Sequence, residues 1–212
     1  MKTLAVISQK GGSGKTTLTV HLAVCAIQKG LKTAILDIDE QASSFEWNQS
    51  RATERRLETV KCIAGQLSGY LKVAKEGKLD LVLVDTAPHS NSDGALAAQL
   101  ADFILIPCRP AVFDLKAIFK TVQIARAARK PFAVIINAAP RGKIADETRA
   151  FLEQNNIPVM ALTINQRAAY SHAVIDGRSV HEYEPDGKAA SEINELYDYI
   201  SSQLKLKRRV AA

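Results

Sequence analysis

The chain has little cysteine and few aromatic residues. Its three cysteines, at positions 25, 62 and 108, show no Cys-x-x-Cys spacing and no pairing with histidine. Scattered cysteines in odd number argue against a disulfide framework and against a zinc site, so we expect reduced thiols in a cytoplasmic protein. Aromatic residues make up 6% of the chain and are not interleaved with basic ones, which disfavours stacking on single-stranded nucleic acid.

Long apolar runs are also missing. No uninterrupted apolar stretch approaches the roughly 18 residues that a membrane-spanning helix needs, and the first residues lack the pattern of a secretion signal. The composition, with 47% hydrophobic and 24% charged residues, is typical of a globular domain. We therefore expect a single domain over residues 1–204, and we set aside export and membrane-spanning functions.

Acidic residues are outnumbered by basic ones. The sequence has 28 lysines and arginines against 22 aspartates and glutamates, for a net charge of +6. The last twelve residues hold four basic side chains and no acid, so we predict a basic tail over residues 205–212. A modest local excess of this kind suggests a polyanionic partner.

Short apolar runs alternate with longer stretches of helical period. The runs are apolar on both faces and predict buried strands at residues 4–8, 33–37, 81–85, 103–107 and 132–137. Helices are predicted near residues 15–29, 66–76, 92–101, 114–129 and 144–155, with a last one from Lys188. This alternation predicts an α/β fold with a doubly wound, mostly parallel sheet flanked by helices. Ligands of such sheets bind beyond the carboxyl ends of the strands.

The strongest motif, QKGGSGKTT at residues 9–17, follows the first predicted strand. Its glycines let backbone N–H groups face phosphate oxygens at a helix N-terminus. Lys15 would reach the β- and γ-phosphates, and the Thr16 hydroxyl would complete a Mg²⁺ shell. The ordinary phosphate-loop pattern needs glycine where Gln9 stands; Lys-Gly-Gly-x-Gly-Lys-Thr, with an additional Lys10, fits instead. The predicted nucleotide-binding residues of this loop are Gly11, Gly12, Ser13, Gly14, Lys15, Thr16 and Thr17.

Three acidic side chains follow predicted strands. Asp85 ends the strand at residues 81–85, where a carboxylate that contacts the Mg²⁺ shell belongs. Asp37 and Asp39 lie on the same side after the second strand, so one could hold the metal's water network and the other orient the attacking water. Helix capping is the alternative for Asp39. The predicted metal residues are Thr16, Asp37 and Asp85.

Together, residues 10–17, 37–41 and 85–88 resemble the deviant Walker ATPases of the ParA/MinD type. The resemblance is closest to small ParA proteins of the ParF kind, which partition plasmids or chromosomes. It implies an ATPase that uses ATP and Mg²⁺ and forms a homodimer in the ATP state. Lys10 would act on the ATP of the other subunit and Asp39 would position water, so the predicted catalytic residues are Lys10, Lys15 and Asp39. The family usually has proline where Glu40 stands, a departure that bears on how Asp39 is placed.

The same resemblance implies where the base lies. The family uses the loop after a late strand together with a neighbouring proline-containing loop. This implies that Asn137 reads the amino edge of adenine and that residues 107–114, with Pro107 and Asp114, form walls. A plain turn residue is the equal alternative for Asn137.

Duplex DNA is the predicted macromolecular partner. Residues 116–149 contain eight basic side chains against two acids, and phosphate binding by such a patch would be sequence-independent and salt-sensitive. For any single one of them, a solvated helix face is the better explanation. The resemblance implies a DNA contact at Arg167, a ParB-like centromere-binding partner that stimulates hydrolysis, and a nucleoid-associated location. The predicted DNA-binding residues are Arg167, Arg178, Lys205, Lys207 and Arg208.

An alternative function is that of a MinD-like ATPase that positions cargo or binds a membrane surface. The last predicted helix has an apolar stripe, and this helix with the basic tail could lie on anionic lipid. The stripe consists of Ile193, Leu196, Tyr197, Ile200 and Leu204. Packing of the stripe on the sheet is the simpler explanation, so we disfavour membrane binding.

Overall fold

The structure, a computed structural model, describes residues 1–88, 90–110 and 112–206, without the side chains of residue 53 and residues 112–116. Seven strands of these residues form one sheet, in the order β3-β2-β4-β1-β5-β6-β7. The strands are β1 (Lys2–Val6), β2 (Thr33–Asp37), β3 (Glu58–Lys61), β4 (Leu81–Asp85), β5 (Phe103–Cys108), β6 (Phe132–Ala139) and β7 (Val159–Asn165). Every neighbouring pair is parallel, which confirms the predicted fold class.

The helices cover both faces of the sheet. In the described part of the chain they are α1 (Lys15–Gln28), α2 (Ser43–Gln49), α3 (Leu67–Glu76), α4 (Asn91–Leu100), α5 (Val112–Ala127), α6 (Ile144–Gln154), α7 (Ala168–Ile175), α8 (Val180–Tyr183) and α9 (Lys188–Leu204). The five predicted strands and the six predicted helices are all confirmed. The strands β3 and β7 and the helices α2, α7 and α8 were not predicted.

The two missed strands are the outer strands of the sheet. All four residues of β3 are exposed or half-buried, and only Met160 and Ile164 of β7 are buried. In the part of the chain that the structure describes, each has a neighbouring strand on one side only. Neither therefore needs the continuous apolar run that marks a strand buried on both faces. Their short or mixed patterns therefore gave no strand signal.

Side chains alternate across the sheet and form two apolar layers. Leu4 and Val6 of β1 pack with α1 and α9 on one face, whereas Ala5 and Ile7 pack with α3, α4 and α5 on the other. The predicted stripe of α9 is at most 2% exposed, so its predicted packing on the sheet is confirmed. No helix among the described residues has the length and apolar content to cross a bilayer.

The topology brings the motif segments to one edge of the sheet. Strand β1 lies between β4 and β5, so the loop that follows it leaves from the middle of the sheet. Strands β2 and β4 pair with Asp37 opposite Asp85 at their carboxyl ends. Asp85 also pairs with Val6 at the end of β1, so it lies beside the glycine-rich loop and Asp37 lies one strand further out.

Candidate functional site

The loop between β1 and α1 has the backbone that its glycines permit. Gly12 and Gly14 have φ angles of 71° and 96°, a conformation that favours glycine. The loop is fixed on the Gln9 side, where the Gln9 N–H donates to Thr121 Oγ1 at 3.1 Å. No backbone N–H of residues 11–17 donates a well-aligned hydrogen bond to any other described residue. These donors, at the N-terminus of α1, are suited to bind an anion.

The two predicted lysines lie at different depths. Lys15 is 6% exposed, and burial lowers its pKa, while Asp85 and Asp39 act in the opposite direction. Its ammonium group therefore lies among carboxylates at the inner end of the loop. Lys10 is half-buried, and Gly11 and Gly12 next to it are exposed. The outer end of the loop is thus at the protein surface.

Asp85 is the most unusual carboxyl group of the site. It is fully buried, and neither of its oxygens accepts a well-aligned hydrogen bond from any described residue. Burial first, and then Asp37, raises its pKa to about 7, while Thr16 and Lys15 act in the opposite direction. A buried carboxylate without partners is costly. Mg²⁺ prefers oxygen ligands, and Asp85 and the Thr16 hydroxyl could both supply them. Asp85 and Thr16 therefore fit their predicted role as metal residues.

Asp37 has a different environment from Asp85. Its Oδ1 accepts the Asp39 N–H at 3.0 Å, and its Oδ2 accepts from Ser44 N at 3.0 Å, Ser44 Oγ at 2.6 Å and Phe45 N at 3.1 Å. These bonds satisfy the N-terminus of α2, in the manner of a helix cap. Asp37 therefore ties the turn after β2 to the end of its own strand. Its metal role stays a prediction.

Asp39 begins the turn that Asp37 anchors. Its Oδ1 accepts the Gln41 N–H at 3.0 Å and its carbonyl accepts the Ala42 N–H at 2.9 Å. Asp37, and not Asp39, caps the N-terminus of α2. The capping role considered for Asp39 is therefore performed by Asp37. Glu40 is exposed within this turn, and the turn forms without the proline that the family usually has there.

Asn137 near the end of β6 braces the phosphate loop. Its side chain is buried, and Nδ2 donates to the Ser13 carbonyl at 2.7 Å. A Cβ at Gly14 would lie 2.1 Å from this nitrogen, so the close approach requires glycine. Asn137 is therefore more than a turn residue. The contact between Asn137 and adenine stays a prediction. The amide that would make it already donates a hydrogen bond to the loop.

A cavity of about 240 Å³ continues from the end of the phosphate loop. Its lining includes Gly14, Thr17 and Asn137, together with Asn165 at the end of β7 and Arg167 after it. Pro107 is buried in β5 and is not part of this lining, and the side chain of Asp114 lies outside the described residues. A larger cleft of about 620 Å³ includes Lys32 and Leu79 near the amino ends of the strands and none of the predicted site residues.

Of the predicted DNA-binding residues, the two arginines are each held by a carboxylate. Arg167 is held by Glu192, with 2.7 Å between Nη2 and Oε1. Arg178 is held by Asp176 at 2.7 Å. Lys205 is exposed at the end of α9, while Lys207 and Arg208 lie outside the described residues.

Comparison with known proteins agrees with this geometry. A family described as the CobQ/CobB/MinD/ParA nucleotide binding domain matches residues 4–180. The maintenance of carboxysome distribution protein A of Halothiobacillus neapolitanus is 31% identical over 210 residues, covering 93% of this chain and 95% of that protein. Protein ParA of Rhizobium radiobacter is 24% identical over 192 residues, covering 85% and 86%. The septum site-determining protein MinD of Pyrococcus horikoshii with Mg-ADP has a TM-score of 0.80 at 17% identity, covering 99% of both chains.

The family match spans the phosphate loop and all three predicted carboxylates. It confirms the predicted family, and the predicted cofactors, ATP and Mg²⁺, are confirmed with it. The open N–H groups of the loop and the buried Asp85, which accepts no well-aligned hydrogen bond from a described residue, are the features of this chain that fit those cofactors. The chain belongs to the CobQ/CobB/MinD/ParA family of nucleotide-binding domains.

Proposed function

We propose that the chain is an ATPase that positions a plasmid, a chromosome or another large cargo by cycling between a monomer and an ATP-bound homodimer. The observation that carries this proposal is Asp85, buried without a well-aligned hydrogen bond from any described residue, beside Lys15 and the open N–H groups of the loop. A Mg²⁺-bound triphosphate would supply the missing partners. Two relatives support a positioning function: one is named for the maintenance of carboxysome distribution, and the other is named ParA.

The dimer step is assigned to Lys10. It stands where the loop reaches the surface, next to the exposed Gly11 and Gly12. A lysine there can reach the phosphates of a nucleotide held by a second copy that faces this edge of the sheet. The added cation would make the nucleotide part of the interface and would neutralise charge in the transition state. ATP binding would then favour the dimer, and hydrolysis would reverse it.

The hydrolysis step is assigned to Asp39. Asp37 fixes the turn in which Asp39 lies, and Asp39 Oδ2 accepts no hydrogen bond from a described residue. This oxygen is available to orient water for attack on the γ-phosphate, within the electrostatic reach of Lys15. A cargo-bound partner, ParB-like in the case of DNA partition, would set the rate.

Duplex DNA is the surface on which we propose that the dimer acts, which would give a nucleoid-associated location. The support is the net charge of +6 and the tail with four cations and no acid. Arg167 and Arg178 are each neutralised by a carboxylate, so the tail, beginning with the exposed Lys205, carries the larger share of the proposal. Contacts of this kind bind the DNA backbone irrespective of sequence.

The membrane-surface alternative lacks an apolar face in α9. Ile193, Leu196 and Ile200 are buried against the sheet, so they cannot insert into lipid while the core is intact. A cargo-positioning function does not need such a face. We therefore favour a DNA-supported positioning ATPase over a membrane-bound one.

Two binding assays separate these functions. The protein with Mg²⁺ and either ATP or ADP is sedimented with duplex DNA and, separately, floated with anionic liposomes. We expect ATP-dependent DNA binding that weakens steeply with salt and no flotation. Flotation without DNA binding, or DNA binding that ignores the nucleotide, would contradict the proposal. A variant with Lys205, Lys207 and Arg208 changed to glutamine serves as the tail control, expected to bind ATP normally and DNA poorly.

A further inference from the structure

Glu192 joins the far end of the chain to the nucleotide cavity. It lies in α9 and is 7% exposed. Its Oε1 accepts from Asn165 Nδ2 at 2.6 Å and from Arg167 Nε and Nη2 at 3.0 and 2.7 Å. Its Oε2 accepts from Tyr170 Oη at 3.0 Å and Asn165 N at 3.3 Å. A carboxylate has about four lone-pair sites, so these contacts occupy its whole capacity.

The three residues that Glu192 holds share a position in the fold. Asn165, Arg167 and Tyr170 come from the end of β7 and the start of α7, and all three line the cavity that continues from Gly14 and Thr17. Tyr170 also packs against His21 of α1, with 5.5 Å between the ring centroids. Without the carboxylate, two donors of the wall and a guanidinium group would lose their common acceptor. The wall would then be free to shift.

We propose that Glu192 is a positioning residue that fixes the wall of the cavity against which the nucleoside part of the nucleotide packs. The three wall residues form the Glu192 cluster with it. The phosphates are held elsewhere, by the loop at residues 11–17, which Glu192 does not contact. Glu192 therefore contributes to binding of the nucleoside and leaves binding of the phosphates nearly unchanged. The inference rests on nucleotide binding alone and is independent of the dimer, DNA and cargo steps proposed above.

The test compares MgATP with Mg²⁺-tripolyphosphate, which has the phosphates and no nucleoside. Dissociation constants are measured by calorimetry for the wild type and for Glu192→Ala. We expect ATP affinity to fall about 10-fold, which corresponds to about 1.4 kcal/mol, and tripolyphosphate affinity to stay within about 2-fold. Equal losses for both ligands would show a general structural role and overturn the inference. Unchanged ATP affinity in Glu192→Ala would also overturn the inference. So would a wild type that does not bind tripolyphosphate, because the loop would then not bind phosphates independently of the nucleoside.

Two further variants keep the test valid if Glu192→Ala does not fold. Glu192→Gln keeps the shape but sets an amide N–H₂ against donors, and Tyr170→Phe removes one hydroxyl. Both should show the same selective loss of ATP affinity, smaller in size, and an equal loss for tripolyphosphate would overturn the inference. Glu182→Ala is the matched control, because Glu182 of α8 binds Arg51 at 2.7 Å in a comparable ion pair and does not line the cavity. It should leave the ratio of the two affinities unchanged.

Discussion

The part of the site proposed to hold the phosphates (the phosphate side) and the cavity wall proposed to hold the base (the base side) differ in how their polar groups are satisfied. On the phosphate side, the N–H groups of residues 11–17 and both oxygens of Asp85 lack well-aligned partners among the described residues. On the base side, Asn165, Arg167 and Tyr170 all bind Glu192, and Asn137 binds the Ser13 carbonyl. One side is open for a ligand, and the other is already fixed.

This difference separates two kinds of contribution to binding. Unsatisfied buried groups gain their partners only when the ligand arrives, so they supply binding energy directly. Satisfied groups gain little from the ligand, but they fix the shape that it meets, which lowers the cost of ordering on binding. Substitutions on the phosphate side should therefore abolish ATP binding or hydrolysis, whereas substitutions on the base side should only weaken ATP binding. The predictions below test that contrast, from the largest effect to the smallest.

Lys15→Ala should have the largest effect. It removes the buried ammonium group that lies among Asp85 and Asp39, and with it a charge-assisted contact to the phosphates. We expect the affinity for MgATP to fall by at least about 100-fold. Calorimetry measures it, with the exposed Lys72→Ala as control. A Lys15 variant that binds ATP within a few-fold of the wild type would remove the contrast between the two sides.

Asp39→Ala should affect turnover and leave binding nearly intact. The oxygen that would orient the attacking water is lost, while Asp37 still anchors the turn through Ser44 and Phe45. We expect hydrolysis to slow by about 10²-fold or more and the ATP-bound dimer to accumulate. Phosphate release at the wild-type rate would exclude Asp39 from the mechanism. Glu40→Ala, a change at the next and exposed position, should have little effect.

Asn137→Ala should have an intermediate effect, since it removes the brace on Ser13. One buried hydrogen bond is worth about 1–1.5 kcal/mol, so we expect ATP affinity to fall about 10-fold. The two roles of Asn137 give different selectivities. If it braces the loop, ATP, GTP and tripolyphosphate weaken equally; if it reads adenine, only ATP weakens. If Asn137→Ala binds each of the three ligands as tightly as the wild type does, both roles are contradicted.

Asp85→Asn concerns the ligand-free protein, in which we expect a change in stability. The folded-state pKa of Asp85 is raised to about 7, so the folded state binds more protons than the unfolded one between about pH 4 and pH 7. The free energy of unfolding should therefore decrease as pH rises through this range. The variant lacks this dependence and should be more stable at pH 8 by about 1–3 kcal/mol. Urea unfolding at pH 5 and pH 8 measures it, with the exposed Glu76→Gln as control. A wild type that gains stability relative to the variant from pH 5 to pH 8 would contradict the assignment.

The phosphate side could be predicted from the sequence because its residues are local. Residues 10–17 form one loop, and Asp37, Asp39 and Asp85 each follow an apolar run that reads as a strand. The central strands were predicted for the same reason. The outer strand β3, ETVK in sequence, has no apolar run. It forms a strand because its backbone pairs with β2, which its own residues do not indicate.

The base side could not be predicted because its contacts are distant in sequence. Asn137 and Ser13 are 124 positions apart, and no pattern relates them. Glu192 interrupts the apolar stripe of α9 and reads as a solvent-facing acid, yet it is buried among three residues 22 to 27 positions away.

The central claim is that ATP on the phosphate side joins two copies through Lys10. The most direct measurement is the mass in solution, by light scattering, of the wild type and of Lys10→Ala with Mg²⁺ and either ATP or ADP. The account predicts that the wild type doubles from the 23.0 kDa of one chain with ATP and not with ADP, while Lys10→Ala binds ATP and stays monomeric. A wild type that stays at the mass of one chain with ATP would contradict it, as would a Lys10 variant that dimerises equally well.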